Sequence, residues 1–315
     1  MDIIILEPHC NISVVDHVYL RFTSDQKDVV HRLSAIRSIQ INESTSLDAE
    51  VLQAVLSYNI RLSLVDKDGD ALGEWHTNRP SKTIQLKYKQ MRYIYKGYGY
   101  SKAAEWICHK IKSQIDMMNS YDIMSAVMIE KFKYISQAWS SDNVDVVYHE
   151  EPNIAKHYYR LISSILPPEF SFDRRSRQPA VDPYNALVNY SYSYLYRLVE
   201  DAIVTSGLDP YLGFYHSNQK GGKALVYDMV EPFRPWIDAR VINLLMAYSR
   251  DIDQDFTYDQ DACLVSQSIK RMIMSDIAEH FMQTIRYNNR TMTMKNHVYA
   301  TAKTLKVEIE KYATN

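Results

Sequence analysis

Two hydrophobic periods divide the chain. Up to residue 78, short apolar and β-branched runs at 3–6, 12–15, 18–22, 36–41 and 60–65 alternate with turn residues, a spacing that predicts the strands of a small sandwich. Between the last two runs, Leu47, Val51, Val55 and Leu56 repeat at helical spacing, with Ser46 placed to cap the helix they predict. Asp66, Asp68 and Asp70 alternate around Gly69, but the glycine comes too early for a calcium loop, and Asp68-Gly69 reads as a hairpin turn. Residues 79–82 read as a linker, and from Thr83 the period becomes helical. The expected architecture is α+β: a small β-rich N-terminal domain over 1–78, then a larger all-α domain over 83–315.

In the second domain the pattern predicts helices from Thr83, over 103–118 and 123–139, from Pro183 to Gly207, and over 236–250, 261–283 and 290–313. In the first of these, Leu86, Met91 and Ile94 share a face, while Lys87, Lys89, Arg92 and Lys96 interleave with Tyr88, Tyr93 and Tyr95. That interleaving describes either a nucleic-acid groove or a solvated face. Glu151-Pro152 reads as a helix start, with a carboxylate at the positive end. The Leu166-Pro167-Pro168 stop is followed by a loop carrying Arg174, Arg175 and Arg177, which is either ordered by phosphate or a plain solvated connector.

Composition narrows the classes. A chain of 315 residues with 46 % hydrophobic and 12 % aromatic content is globular. Its formal charge of −2 announces no nucleic acid, so any such contact needs a local patch. Three cysteines at 10, 108 and 263 make neither a disulfide framework nor a zinc knuckle and suit a reducing cytoplasm. No apolar run reaches the roughly 18 residues that span a bilayer, and no membrane association is expected.

Chemistry concentrates in residues 207–235, where a histidine, carboxylates, several glycines and an arginine crowd together. His216, Asp228 and Glu231 are the residue types that bind hard or borderline divalent metals, Mg²⁺ or Mn²⁺, with a further oxygen ligand needed from elsewhere. By spacing alone the same residues also read as ordinary surface or satisfied structure. Asp228 is either a fourth ligand or an orienter of His216. Lys220, Lys223 and Arg234 are candidate phosphate contacts, and the glycines at 221–222 lack a Walker pattern.

This stretch resembles the signature of the CRISPR-associated protein 1 family, which runs approximately GLDPxxGxxH and then LxxDxxEPFRP. Gly207, Leu208, Asp209, Pro210, Gly213 and His216 fit the first half; Asp228, Glu231, Pro232, Phe233, Arg234 and Pro235 fit the second. The basic loop and the helix from Asp182 match a further block, with Asn185 and Asn189 in it. The family's glutamate motif aligns on Ala155, which implies Glu151 as a metal ligand and Tyr158 as its tyrosine, although Pro152 stands where glycine is common and Ile154 where alanine is. Glu150 is the competing register.

The resemblance implies an integrase and metal-dependent DNA endonuclease of spacer acquisition. Its metal would be held by Glu151, His216 and Glu231, with Asp228 in the catalytic set and Tyr158, Arg174, Arg177, Asn185, Lys220, Lys223 and Arg234 toward DNA. It further implies a homodimer that works on protospacer and leader-repeat DNA with CRISPR-associated protein 2. The rivals are a catalytically inactive DNA-binding scaffold of the same fold and a stand-alone or transposon-borne nuclease-integrase.

Overall fold

The structure is a computed structural model, and it describes every residue except Met1, 5–9, Gln26, Asn59, 66–70, 76–81, Met124, 141–142, 217–221 and 313–315. The Asp68-Gly69 turn, most of the linker and Lys220 therefore lie outside the described residues. Contacts divide the chain into two units, Met1–Ser81 and Lys82–Asn315.

In the first unit, β1 (Asp2–Ile4), β5 (Ser38–Ile41), β6 (Arg61–Val65) and β7 (Ala71–Trp75) form a sheet in the order β1-β5-β6-β7, parallel except at β7. A separate antiparallel sheet joins β2 (Asn11–Val15), β3 (Tyr19–Thr23) and β4 (Asp28–Arg32). Parallel β5 and β6 need a crossover, and α1 (Ala49–Ser57) supplies it. Leu20 and Phe22 of β3, Ile39 and Ile41 of β5, Leu62 of β6 and Val51 and Val55 of α1 share one buried core. Asp48, rather than the expected Ser46, caps α1: its carboxylate accepts from the Val51 amide at 2.8 Å. Strand β4 was not legible in the pattern because four of its five side chains are exposed, which leaves no buried face to alternate.

The second unit is mostly helical. Its helices are α2 (Lys82–Tyr95), α3 (Tyr98–Ser120), α4 (Ala126–Ser140), α5 (Val144–Ile165), α6 (Pro183–Thr205), α7 (Ala224–Met229), α8 (Arg234–Met246), α9 (Ile252–Asp255), α10 (Gln267–His280) and α11 (Met294–Tyr312). Helix α6 lies at the centre, packed by α8, α10 and α11, while α3 packs on α5 and on the short turn Glu231–Phe233 between α7 and α8. Fully buried Leu187, Leu195, Ile203, Ile237 and Phe233 knit these elements together, each contributing about 1.5–3 kcal/mol by leaving water.

Two expectations are corrected here. Glu151-Pro152 does not start a helix: Pro152 lies inside α5. The buried stripe runs through it, from Val144, Val147 and Tyr148 to Ile154, Tyr158 and Ile162, and that packing outweighs the one backbone hydrogen bond a proline removes. The C-terminal segments 261–283 and 290–313 are not helical throughout. Each begins with the second strand of a hairpin, β8 (Phe256–Asp259) with β9 (Ala262–Val265), and β10 (Thr284–Tyr287) with β11 (Arg290–Thr293). The second turns on Asn288 and Asn289, both at positive φ (48° and 60°), the conformation that asparagine tolerates in tight hairpins.

Candidate active site

The loop carrying His216 is held from three sides. Helix α6 ends at Gly207, whose φ of 84° admits glycine at no steric cost. The following turn is pinned by Gln90, fully buried on α2: its amide nitrogen donates to the Asp209 and Leu212 carbonyls at 2.9 and 2.8 Å, and its oxygen accepts from the Asp209 amide at 2.9 Å. Gly213 then passes against α7 so closely that a Cβ there would lie 2.5 Å from the Ala224 Cβ and 2.6 Å from its backbone. Phe214 stacks on Trp106 of α3, with ring centroids 5.7 Å apart.

Asp228 organises the end of this loop. One oxygen accepts from the Phe214 and Tyr215 amides at 2.5 and 3.2 Å. The other accepts from the His216 amide at 3.2 Å and from His216 Nδ1 at 2.7 Å. An ionised carboxylate only accepts, so Nδ1 carries the proton and Nε2 is the basic ring atom left for a ligand. With both oxygens committed and the side chain fully buried, Asp228 is the orienter of His216 and not a fourth ligand.

The two glutamates meet at an unanticipated cation. Lys110, 6 % exposed on α3, donates from Nζ to Glu151 Oε1 and to Glu231 Oε2, both at 2.6 Å. Arg234 Nε lies 2.8 Å from Glu231 Oε1, an ion-pair distance without the alignment of a hydrogen bond. Burial by itself pushes the Glu231 carboxyl up, but the charges of Arg234 and Lys110 more than offset it and hold its pKa down at about 2. Burial likewise pulls the Lys110 ammonium down, and the two carboxylates override it and raise it. Glu150 faces away, paired with Lys131 of α4 at 2.6 Å. Of the two registers, Glu151 is the glutamate at the cavity.

Glu151, His216, Glu231, Lys110 and Arg234 line one cavity of about 680 Å³, together with Gln114, Lys156, Tyr159, Arg160, Arg174, Arg175, Arg177 and Tyr215. The basic loop forms its wall and is tied down by α6. Asn185, fully buried, accepts from Arg175 Nη1 at 2.8 Å and the Ser176 amide at 3.1 Å, and donates to the Arg174 carbonyl and to Asp182. Asn189 accepts from Arg175 Nη2 and donates to the Ser176 and Arg177 carbonyls. The guanidiniums of Arg175 and Arg234 lie 5.7 and 4.9 Å from the centroid of the Tyr192 ring. Beneath them buried Asp238 accepts from Tyr158 at 2.7 Å and Tyr192 at 2.6 Å.

Of the residues expected at DNA, Arg174, Arg177 and Arg234 line the cavity. Tyr158 and Asn185 do not reach a ligand: both are fully buried with their polar groups engaged, and they position what lies in front. Lys223 is paired with Glu200 at 2.7 Å. The sequence reading missed Gln90, Lys110, Gln114, Lys156 and Arg160. A signal for Lys110 did exist, since it stands on the apolar face that carries Trp106, Ile107, Ile111 and Met117, and a lysine on a buried stripe needs partners.

Two carboxylates and an imidazole nitrogen on one wet cavity have the right donor chemistry for a divalent metal. Among the described residues no three His, Cys, Asp or Glu side chains stand close enough to hold one as they are; between the two carboxylates stands the Lys110 ammonium. The described helices include none long and apolar enough to cross a membrane.

The family model for CRISPR associated protein Cas1 matches residues 3–279. A CRISPR-associated endonuclease Cas1 of Methanospirillum hungatei is 30 % identical over 181 residues, 57 % of this chain and 54 % of that protein, so the chain spans about half the length of that relative. Two solved structures share the fold: a casposase bound to integration product, 21 % identical with a TM-score of 0.69 over 99 % of this chain and 96 % of that one, and a chain of a Cas6-RT-Cas1–Cas2 complex, 17 % identical with a TM-score of 0.75 over 99 % and 35 %.

Proposed function

The chain belongs to the Cas1 family, and on that premise we propose that it is the integrase and DNA endonuclease of CRISPR adaptation, joining the 3′-OH of a short protospacer DNA to a phosphodiester at the repeat border. The observation that carries this reading is the convergence of Glu151, Glu231 and the oriented His216 with an arginine-lined wall on a single cavity. A divalent metal, Mg²⁺ or Mn²⁺, would be held by Glu151, Glu231 and His216. When bound it would supply polarisation of a phosphoryl oxygen and a lowered pKa for the attacking hydroxyl.

The chain's own groups do the rest. Asp228 keeps the proton on His216 Nδ1, so the ring presents Nε2 in one orientation. Arg234 and Arg175, braced on Tyr192, offer fixed guanidiniums to the phosphate oxygens, whose charge grows in the transition state. Lys156, Arg160, Arg174 and Arg177 neutralise the flanking strand. Water in place of the 3′-OH makes the same site a nuclease. By analogy with the Cas6-RT-Cas1–Cas2 neighbour, Cas2 is a partner; double-stranded DNA is the substrate of the proposed reaction, and a second copy of the chain is what the family resemblance implies. The three buried cysteines suit a cytoplasmic setting.

The test is strand joining. Purified protein is mixed with short duplexes bearing free 3′-OH ends and a supercoiled plasmid carrying a repeat, with Mg²⁺ or Mn²⁺ and with Cas2 added. Wild type is expected to give joined, relaxed plasmid, and His216→Ala to join at least about 100-fold less while still binding DNA. Absence of joining by wild type that binds DNA normally leaves the scaffold reading instead.

A further inference from the structure

Lys110 cannot simply coexist with a divalent ion between Glu151 and Glu231, because its ammonium already occupies the inner oxygen of each carboxylate at 2.6 Å. The local charge sum makes the same point. Two glutamates are balanced by Lys110 and Arg234, so a divalent cation entering this ligand set leaves a net surplus of positive charge in a buried place. A vacated ammonium also needs a new acceptor, since an unpaired buried charge is strongly unfavourable.

Such an acceptor exists. Gln114, 3 % exposed, lies one helical turn beyond Lys110 on α3 and lines the same cavity, and its Oε1 is buried with no hydrogen-bond partner among the described residues. Residues four apart share a helix face, and the later side chain leans back over the earlier one. A buried amide oxygen left open in this way is costly, and the Lys110 ammonium, one turn away on the same helix and lining the same cavity, is a group that can satisfy it.

We propose that Lys110 is a positioning residue with two seats, one between Glu151 and Glu231 and one at Gln114 Oε1, and that it admits the metal only as it changes seats. The proposal rests on the reading of these glutamates as metal ligands. Its functional consequence is coupling. DNA phosphates at the arginine wall supply the negative charge that the incoming cation lacks, so metal and DNA bind tighter together than separately, by a common factor. The site then stays poorly metallated, and its hydrolytic chemistry idle, until substrate is seated.

The experiment titrates Mn²⁺ alone into the full chain, with and without a short DNA duplex, by calorimetry and by loss of the free-Mn²⁺ paramagnetic resonance signal. Wild type should bind Mn²⁺ weakly without DNA and about tenfold more tightly with it. Lys110→Met should bind DNA-free Mn²⁺ about tenfold more tightly than wild type and lose most of the coupling. Gln114→Leu, which keeps Lys110 and removes its second seat, should shift the other way and weaken Mn²⁺ binding. Thermal melts confirm folding of each variant. A merely structural Lys110 predicts weakening in both variants or no change, and either result overturns the two-seat proposal while leaving the metal reading intact. Failure of wild type to bind Mn²⁺ even with DNA overturns the metal reading itself and the proposal with it.

Discussion

Glu231 is held ionised in a buried place by two cations, and that sets a pH dependence. It is nine-tenths buried between Lys110 and Arg234, and its pKa is lowered from 4.5 to about 2. A carboxyl depressed in the folded state binds protons more readily once unfolded, so its contribution is complete above pH 4.5 and is lost as the pH falls toward 2. The shift corresponds to about 3 kcal/mol. Glu231→Gln should therefore be less stable than wild type at pH 7 by an amount of that order, and the gap in denaturant midpoint should narrow steadily between pH 5 and pH 3. A gap that does not change with pH would mean that Lys110 and Arg234 stabilise Glu231 no more than they stabilise its amide. At this scale the sequence was informative about the histidine and carboxylates of the cavity and silent about their companions. His216, Asp228 and Glu231 fall within one short stretch, whereas Lys110 reaches them from a helix 121 residues before Glu231, and no local pattern records such a pairing.

The elements were legible where one buried face runs the length of a segment, as in α6, whose start at Pro183 and end at Gly207 follow from proline and glycine chemistry. Legibility failed where an element is short or where packing overrides a local rule. The four-residue strands β8 to β11 carry too few positions to display a period of two, and Pro152 signalled a helix start although tertiary packing carries α5 through it. Gly213 belongs to neither case. Its place in the motif was evident from the sequence, but its reason is the approach of α7, 2.6 Å from where a Cβ would stand. Because the obstruction is backbone, it cannot rotate away. Gly213→Ala is expected to cost about 1–3 kcal/mol by overpacking and to displace the loop between Gln90 and Asp228, so strand joining should fall together with the melting temperature. Retained activity at a lowered melting temperature would show that the His216 position tolerates a shifted loop.

At the scale of the whole molecule, a formal charge of −2 conceals a strongly polarised site. The cavity is lined by seven cationic side chains, Lys110, Lys156, Arg160, Arg174, Arg175, Arg177 and Arg234, against three carboxylates, Glu151, Asp173 and Glu231. Net charge is a sum over the surface and carries no information on clustering, which is why composition argued mildly against nucleic acid while the fold gathers cationic side chains on one wall. The wall divides by environment. Arg175 and Arg234 are clamped by asparagine, tyrosine and glutamate partners, which on the proposed reading assigns them to the reacting phosphate. Arg174 and Arg177 are exposed, and the same reading assigns them to the flanking DNA backbone. Each contact between such a side chain and duplex phosphate releases about one counterion, giving a slope of log affinity against log salt of about −0.9 per phosphate. Replacing Arg174 and Arg177 together by alanine should flatten that slope by about 1.8, weaken binding of all duplex sequences alike, and leave strand joining nearly unchanged at saturating DNA. A large loss of joining at saturation with the slope unaltered would instead move these two arginines from the DNA path to the support of Arg175, through the loop that Asn185 and Asn189 hold in place.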